Sequence, residues 1–177
     1  GVVILIIAGA TGFQLAKPYI AKRLFERALS QTVGVDRSAA YGDGLHVYLC
    51  GTGSPMADTT RAGPCMGVVA GDAAFIIDTG SGSVRKLSRM GFPMEKLQTL
   101  YLTHLHSDHI DGIGELMLQA WIAGRRDEPL PVYGPVGTTQ VINGFNQAYE
   151  LDKGYRIAHH GPEVAIPSGF GGAPHEM

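Results

Sequence analysis

Polar and apolar positions alternate from Leu45 to Cys50, and the run ends at Gly51-Thr52-Gly53-Ser54-Pro55, which predicts a strand entering a glycine-rich loop. Met66 to Ala70 and Ala73 to Asp78 predict two further strands joined by a hairpin turn at Gly71-Asp72. Ser83 to Met90 predicts a short helix. Leu97 to Thr103 is an almost continuous apolar run, as expected of a buried strand in a sheet covered by helices on one face. Ile110 to Ala123 places Ile110, Ile113, Leu116, Met117, Ala120 and Trp121 on one helical face, and Gly124 stops the pattern. Leu130 to Tyr133 predicts a strand, Gly134-Pro135 a turn, and Thr138 to Glu150 a further helix. From Lys153 onward glycine and proline dominate and periodicity fades, so a loop or insertion is expected there.

The N-terminal 44 residues follow another pattern. Residues 1–16 hold an apolar run from Val2 to Ala10 that continues with little polarity to Ala16. It is shorter than the about 20 residues of a full membrane span, so it is expected to be the remnant of a signal peptide or membrane anchor. A buried N-terminal strand is the alternative. Gly1 in place of Met implies a preceding segment, and Ala8 with Ala10 forms a weak cleavage signal. Lys17, Lys22, Arg23 and Arg27 would hold the downstream side in the cytoplasm under the positive-inside tendency, which conflicts with export and leaves orientation open. Residues 17–44 are expected to be an amphipathic helix from Pro18 to about Gln31, followed by a linker up to Gly44. The basic face of that helix could rest on anionic lipid or simply face water. The folded domain is expected over 45–177.

Composition bounds the chemistry. A chain of 177 residues is the size of one domain, and its 25 glycines point to tight turns and close backbone approaches. The formal net charge of -2 provides no broad basic face for neutralising nucleic-acid phosphates, so nucleic acid is an allowed but disfavoured partner beside a small-molecule or ester substrate. Oligomeric state is not legible.

One stretch carries specific chemistry: Thr103-His104-Leu105-His106-Ser107-Asp108-His109-Ile110-Asp111-Gly112, where a buried strand gives way to a helix. Three imidazoles and a carboxylate within six residues suit a borderline-soft cation such as zinc. In an extended segment His104 and His106 project to one side and can reach one ion. Asp108 and His109, turning off at the helix start, can serve a second. A structural site would want four closing ligands, usually with cysteines, and neither cysteine lies near in sequence.

This His-x-His-x-Asp-His pattern resembles the signature of the metallo-β-lactamase superfamily, and the resemblance extends over Leu45 to about Glu150. Asp78, in Ile76-Ile77-Asp78-Thr79-Gly80, matches the upstream aspartate of that family, which implies a role supporting the metal loop. Gly51-Thr52-Gly53-Ser54-Pro55 with Arg61-Ala62-Gly63-Pro64, and Leu130-Pro131-Val132-Tyr133-Gly134-Pro135-Val136-Gly137-Thr138, look like the ribonuclease Z branch. The resemblance implies an α/β fold, a four-layer αβ/βα sandwich of two mixed sheets with helices outside and metals at one edge, here its first half only. It implies hydrolysis of a phosphodiester, sulfate ester or related ester by a metal-bound hydroxide, with two zinc ions (iron or manganese in some settings) and with Asp108 both a ligand and the catalytic carboxylate. Alternatives are a ribonuclease Z-type tRNA 3' endonuclease, a mononuclear iron persulfide-dioxygenase-like oxidoreductase, and a truncated inactive fragment. The family's remaining ligands would lie beyond Met177.

Other candidates are weaker. His159 and His160 are expected in a loop, as substrate contacts or plain loop residues, and His175 is a marginal ligand candidate. Cys50 and Cys65 close a predicted hairpin and could form a disulfide in an oxidising compartment, or remain buried thiols. Met117, Trp121 and Tyr133 are expected in the core. With the N-terminal run these features place the protein in the cell envelope, periplasmic or otherwise extracytoplasmic, anchored to the inner membrane.

Overall fold

A computed structural model describes residue 14, residues 16–24, residue 27, and residues 37–56 and 58–177. The chain divides into two compact units, Gly1–Val35 and Asp36–Met177. In the first, residues 16–24 are helical, with Tyr19, Ile20 and Leu24 exposed and the Arg23 guanidinium 5.0 Å from the centre of the Tyr19 ring. The apolar run Val2–Ala10 lies outside the described residues, as do Phe25, Ala28 and Leu29. Among the described residues no helix is long and apolar enough to cross a membrane.

The second unit is built on one sheet of six strands that neighbour one another in chain order: β1 (Leu45–Gly51), β2 (Cys65–Ala70), β3 (Ala73–Ile77), β4 (Leu97–Tyr101), β5 (Leu130–Gly134) and β6 (Gly172–Glu176). The first three run antiparallel, with Gly71 at φ +60° making the β2–β3 turn; β3 to β6 run parallel. Parallel neighbours need crossovers. These are α1 (Ser83–Met90), then α2 (Ser107–Ile110) with α3 (Ile113–Ile122), then α4 (Thr138–Ala148) with α5 (Glu150–His160).

The helices pack on one face. Val84 and Leu87 of α1, Ile113, Leu116 and Met117 of α3 and Ile142 of α4 share a buried cluster with Val69, Ile76, Leu100 and Val132 of the sheet. Each fully buried aliphatic side chain contributes about 1.5–3 kcal/mol. Trp121 has no exposed surface and satisfies its indole N–H by donating to the Ile166 carbonyl at 2.6 Å. The opposite face of the sheet is apolar yet open. Val47 faces Val68, Leu49 faces Met66, Met66 faces Ile77, and Ile77 faces Tyr101, which leads to Tyr133. Leu45, Val47 and Leu49 are more than half exposed. Tyr133 belongs to this open face, half-buried against Tyr101 and His175, and not to the core expected of it.

The expectation of a loop from Lys153 onward fails at two elements. The segment after Lys153 is loop only over 161–171: α5 runs to His160, its polar face stitched by Arg156–Asp152 at 2.6 Å and Lys153–Glu150 at 3.2 Å. No residue of α5 is fully buried, so no apolar stripe announces it. The strand β6 contains Gly172 and Pro174, both poor strand formers, tolerated because β6 lies at the sheet edge. The single helix expected over Ile110–Ala123 is broken where the Gly112 amide donates to the Thr79 carbonyl at 2.8 Å.

Glu176 at the end of β6 caps α4. Its Oε1 accepts from the amides of Gly137 and Thr139, each at 3.0 Å. The Thr139 amide, helped by the Thr139 hydroxyl and the Gly137 amide, holds this carboxyl below its usual range. A carboxyl depressed in the folded state stabilises above the ordinary carboxylate pKa, and that contribution is lost as pH falls through the lowered value. Glu176→Gln is therefore expected to lower the denaturation midpoint at pH 7 and to match wild type in strong acid. Urea titrations from pH 7 to pH 2 would show it, and an equal deficit at every pH would refute the charge-dependent cap.

Candidate metal centre

The candidate ligands lie at the C-terminal edge of the parallel strands, where β3 and β4 end side by side. Asp78 follows β3 and is buried, with φ +56°, a left-handed conformation that aspartate tolerates better than most residues. That turn brings its carboxylate across to the end of β4. Oδ1 accepts from the Thr103 amide at 2.8 Å, and Oδ2 accepts from the Thr103 hydroxyl at 2.7 Å and from His109 Nδ1 at 2.8 Å. Three donors on two oxygens leave Asp78 well satisfied and fix the His109 ring with Nε2 free for a ligand. A carboxylate on the outer nitrogen of an imidazole is the usual support of a metal-binding histidine.

The backbone around this carboxylate is packed close. The Thr79 amide donates to the His109 carbonyl at 2.9 Å, and the Gly80 amide to the Pro64 carbonyl at 2.9 Å. A Cβ at Gly80 would collide with the Asp108 carbonyl, so only glycine lets the loop after β3 touch the ligand loop. The glycine loop between β1 and β2 is closed by a disulfide between Cys50 and Cys65, Cα atoms 5.1 Å apart.

His104, His106 and His109 come together: ring centres are 4.0 Å apart for His104 and His109 and 4.7 Å for His104 and His106. His104 Nε2 and His106 Nδ1 stand 3.1 Å apart, and Asp108 Oδ2 stands 3.7 Å from His109 Nε2. Two donors each at about 2.0–2.1 Å from one tetrahedral ion are roughly 3.3 Å apart. Both separations bracket that value, so the donor set fits two ions, with a pair of ligands for each. Among the described residues no group of three or more His, Cys, Asp and Glu side chains is disposed to hold an ion. Each pair would thus supply two of the four donors of a tetrahedral ion.

Beside Asp108 opens a cavity of about 290 Å³ lined by Ser54, Arg61, Ser81, Ser107, Asp108 and Asp111 among others. Arg61 is braced over it: Asp58 accepts its Nε–H at 2.7 Å. Asp58 also accepts the amide and hydroxyl of Thr60, each at 2.7 Å, and the Thr60 amide above all holds its carboxyl well below the usual range. A second cavity, of about 210 Å³, lined by Ser38, Tyr41, His46 and Lys96, contains none of the candidate ligands.

The remaining candidates lie elsewhere. His159 and His160 end helix α5, exposed, their rings 4.7 Å apart and in contact with each other, not in the loop expected for them. His175 is on β6 and stacks on Tyr133 at 4.5 Å. Sequence reasoning gave no role to Thr103, although a hydroxyl residue directly before the first histidine was visible. Nor did it give one to Asp58, whose signal is the Asp-x-Thr-Arg spacing of a side-chain-closed turn.

A family model described as "Anti-Pycsar protein Apyc1" matches residues 45–135, just over half of the chain. The chain belongs to this family. A ribonuclease Z of Mycobacterium sp. strain KMS is 43% identical over 124 residues, covering 70% of this chain and 43% of the relative. A ribonuclease Z of Mycolicibacterium gilvum strain PYR-GCK is 42% identical over 118 residues, covering 66% of this chain and 41% of the relative. The short form of human tRNase Z superposes with a TM-score of 0.54 at 24% identity, over 73% of this chain and 43% of that one. The chain thus spans under half the length of the curated relatives it matches. Its fold is that of the metallo-β-lactamase superfamily, ribonuclease Z-like branch, and its sheet with one helix layer forms two of the four layers of the αβ/βα sandwich.

Asp78→Asn keeps the shape and the tolerance of a left-handed backbone, but turns an NH₂ toward donors. Loss of the buried acceptor is expected to cost about 1–3 kcal/mol in chemical denaturation of the metal-free protein. An unchanged midpoint would show that the carboxylate does not hold the junction together.

Proposed function

We propose that this chain supplies the first ligands of a dinuclear metal centre in a hydrolase that cleaves a phosphodiester, sulfate ester or related ester. The observation that carries the proposal is the donor pairing: His104 Nε2 with His106 Nδ1, and Asp108 Oδ2 with His109 Nε2, each pair at a separation suited to one ion. Two zinc ions suit this mixture of imidazole and carboxylate. When bound, such ions polarise the ester and make a nucleophile of water near neutral pH. The chain's own residues position the rest. Asp78 orients His109, Asp108 stands at the wall of the cavity, and Arg61, held by Asp58, offers a cation to an anionic ester. The further ligands of each ion would come from outside the residues described, and the open apolar face of the sheet is where a second sheet would pack.

Likeness to relatives named ribonuclease Z favours a second reading, cleavage of precursor tRNA at its 3' end. The net charge of -2 weighs against it. In the full-length protein, elemental analysis is expected to find about two zinc per chain. Bis(p-nitrophenyl) phosphate should be hydrolysed and precursor tRNA left uncut. His106→Ala should release zinc and cut turnover by more than the about 10–100-fold typical of an outer-shell loss. One iron per chain, or full zinc and activity in His106→Ala, would overturn the proposal, and efficient tRNA cleavage would establish the second reading.

A further inference from the structure

The hydrogen bonds at the end of β4 assign a role to Thr103 that ligand spacing does not reveal. Its hydroxyl lies between two site residues: 2.7 Å from Asp78 Oδ2 and 3.0 Å from His104 Nδ1. A hydroxyl has one proton, and a carboxylate has none to give, so the Thr103 proton is committed to Asp78. Toward His104 the Thr103 oxygen can then only accept. His104 must carry its proton on Nδ1, which leaves the lone pair of Nε2 on the side facing His106 Nδ1, 3.1 Å away.

We propose that Thr103 is a positioning residue that relays the Asp78 carboxylate to His104 and locks that imidazole in the tautomer whose Nε2 can bind a metal ion. Asp78 thereby sets both halves of the centre: His109 directly through Nδ1, His104 through one intervening hydroxyl. The Thr103 amide, donating to Asp78 Oδ1 at 2.8 Å, fixes the carboxylate so that Oδ2 serves the hydroxyl and His109 together. The arrangement costs no additional charged group, which matters where Asp78 is already buried. The proposal rests on the metal-centre reading of the preceding section.

The test uses the full-length protein with zinc alone as the probe. Long-range ¹⁵N NMR of the metal-free wild type should show His104 protonated on Nδ1; protonation on Nε2 would overturn the relay without recourse to any variant. Thr103→Val, which keeps the shape and removes the hydroxyl, should weaken zinc at the His104 site by about 10–100-fold in competition with a chromophoric chelator. Thr103→Ser, which keeps the hydroxyl, should restore near wild-type affinity. Equal affinity in Thr103→Val and wild type, or a Ser variant as weak as the Val variant, would refute the relay while leaving the metal centre standing. Absence of zinc binding by the wild type would refute both.

Discussion

The buried carboxylate of Asp78 ties three separate pieces of chain into one corner. It follows β3, takes two hydrogen bonds from the residue after β4 that leads into the ligand loop, and takes a third from the helix that carries His109. A left-handed backbone at Asp78 is the means, and a conformation of that kind costs on the order of 1–3 kcal/mol unless its surroundings hold it. Here the surrounding hydrogen bonds do so. With Asp78 buried and every partner internal, water competes poorly for the carboxylate, so the orientation of the His109 imidazole is inherited from the sheet.

Close backbone contacts extend that rigidity outward. The loop after β3 touches the ligand loop at Gly80, where any side chain would strike the Asp108 carbonyl, and the same loop is hydrogen-bonded to Pro64 beyond the disulfide. The cavity beside Asp108 is bounded by this packed corner and by the turn that Asp58 closes around Arg61. Among the described residues each donor pair would offer an ion only two donors. On the open face of the sheet a row of valine, leucine, methionine and tyrosine is left partly exposed among the described residues.

Much of this was readable in the residues because local pattern and tertiary role coincide. The convergence of His104, His106 and His109 follows from their spacing at a strand end, the strands β1 to β5 from alternation or continuous apolarity, and the Cys50–Cys65 pairing from the strands that it joins. Elements stabilised by tertiary setting were not readable. Helix α5 buries no residue completely and is held on its surface by ion pairs, so it carries no stripe to detect. Strand β6 includes proline and glycine, and exists because β5 offers it an edge. Tyr133 looked like core because it is aromatic in a strand, but its register turns it to the open face. The role of Thr103 was hidden for a different reason: it depends on which atom holds a proton, a property of three-dimensional hydrogen bonding and not of spacing.

The central claim is that the two donor pairs belong to two ions and that each imidazole is presented through a particular nitrogen. Anomalous diffraction at the zinc edge from crystals of the full-length protein tests this most directly. Two peaks are expected, one about 2.0–2.1 Å from His104 Nε2 and His106 Nδ1 and the other at that distance from His109 Nε2 and an Asp108 oxygen. A single peak, no peak at this corner, or ligation of His104 through Nδ1 would contradict the account.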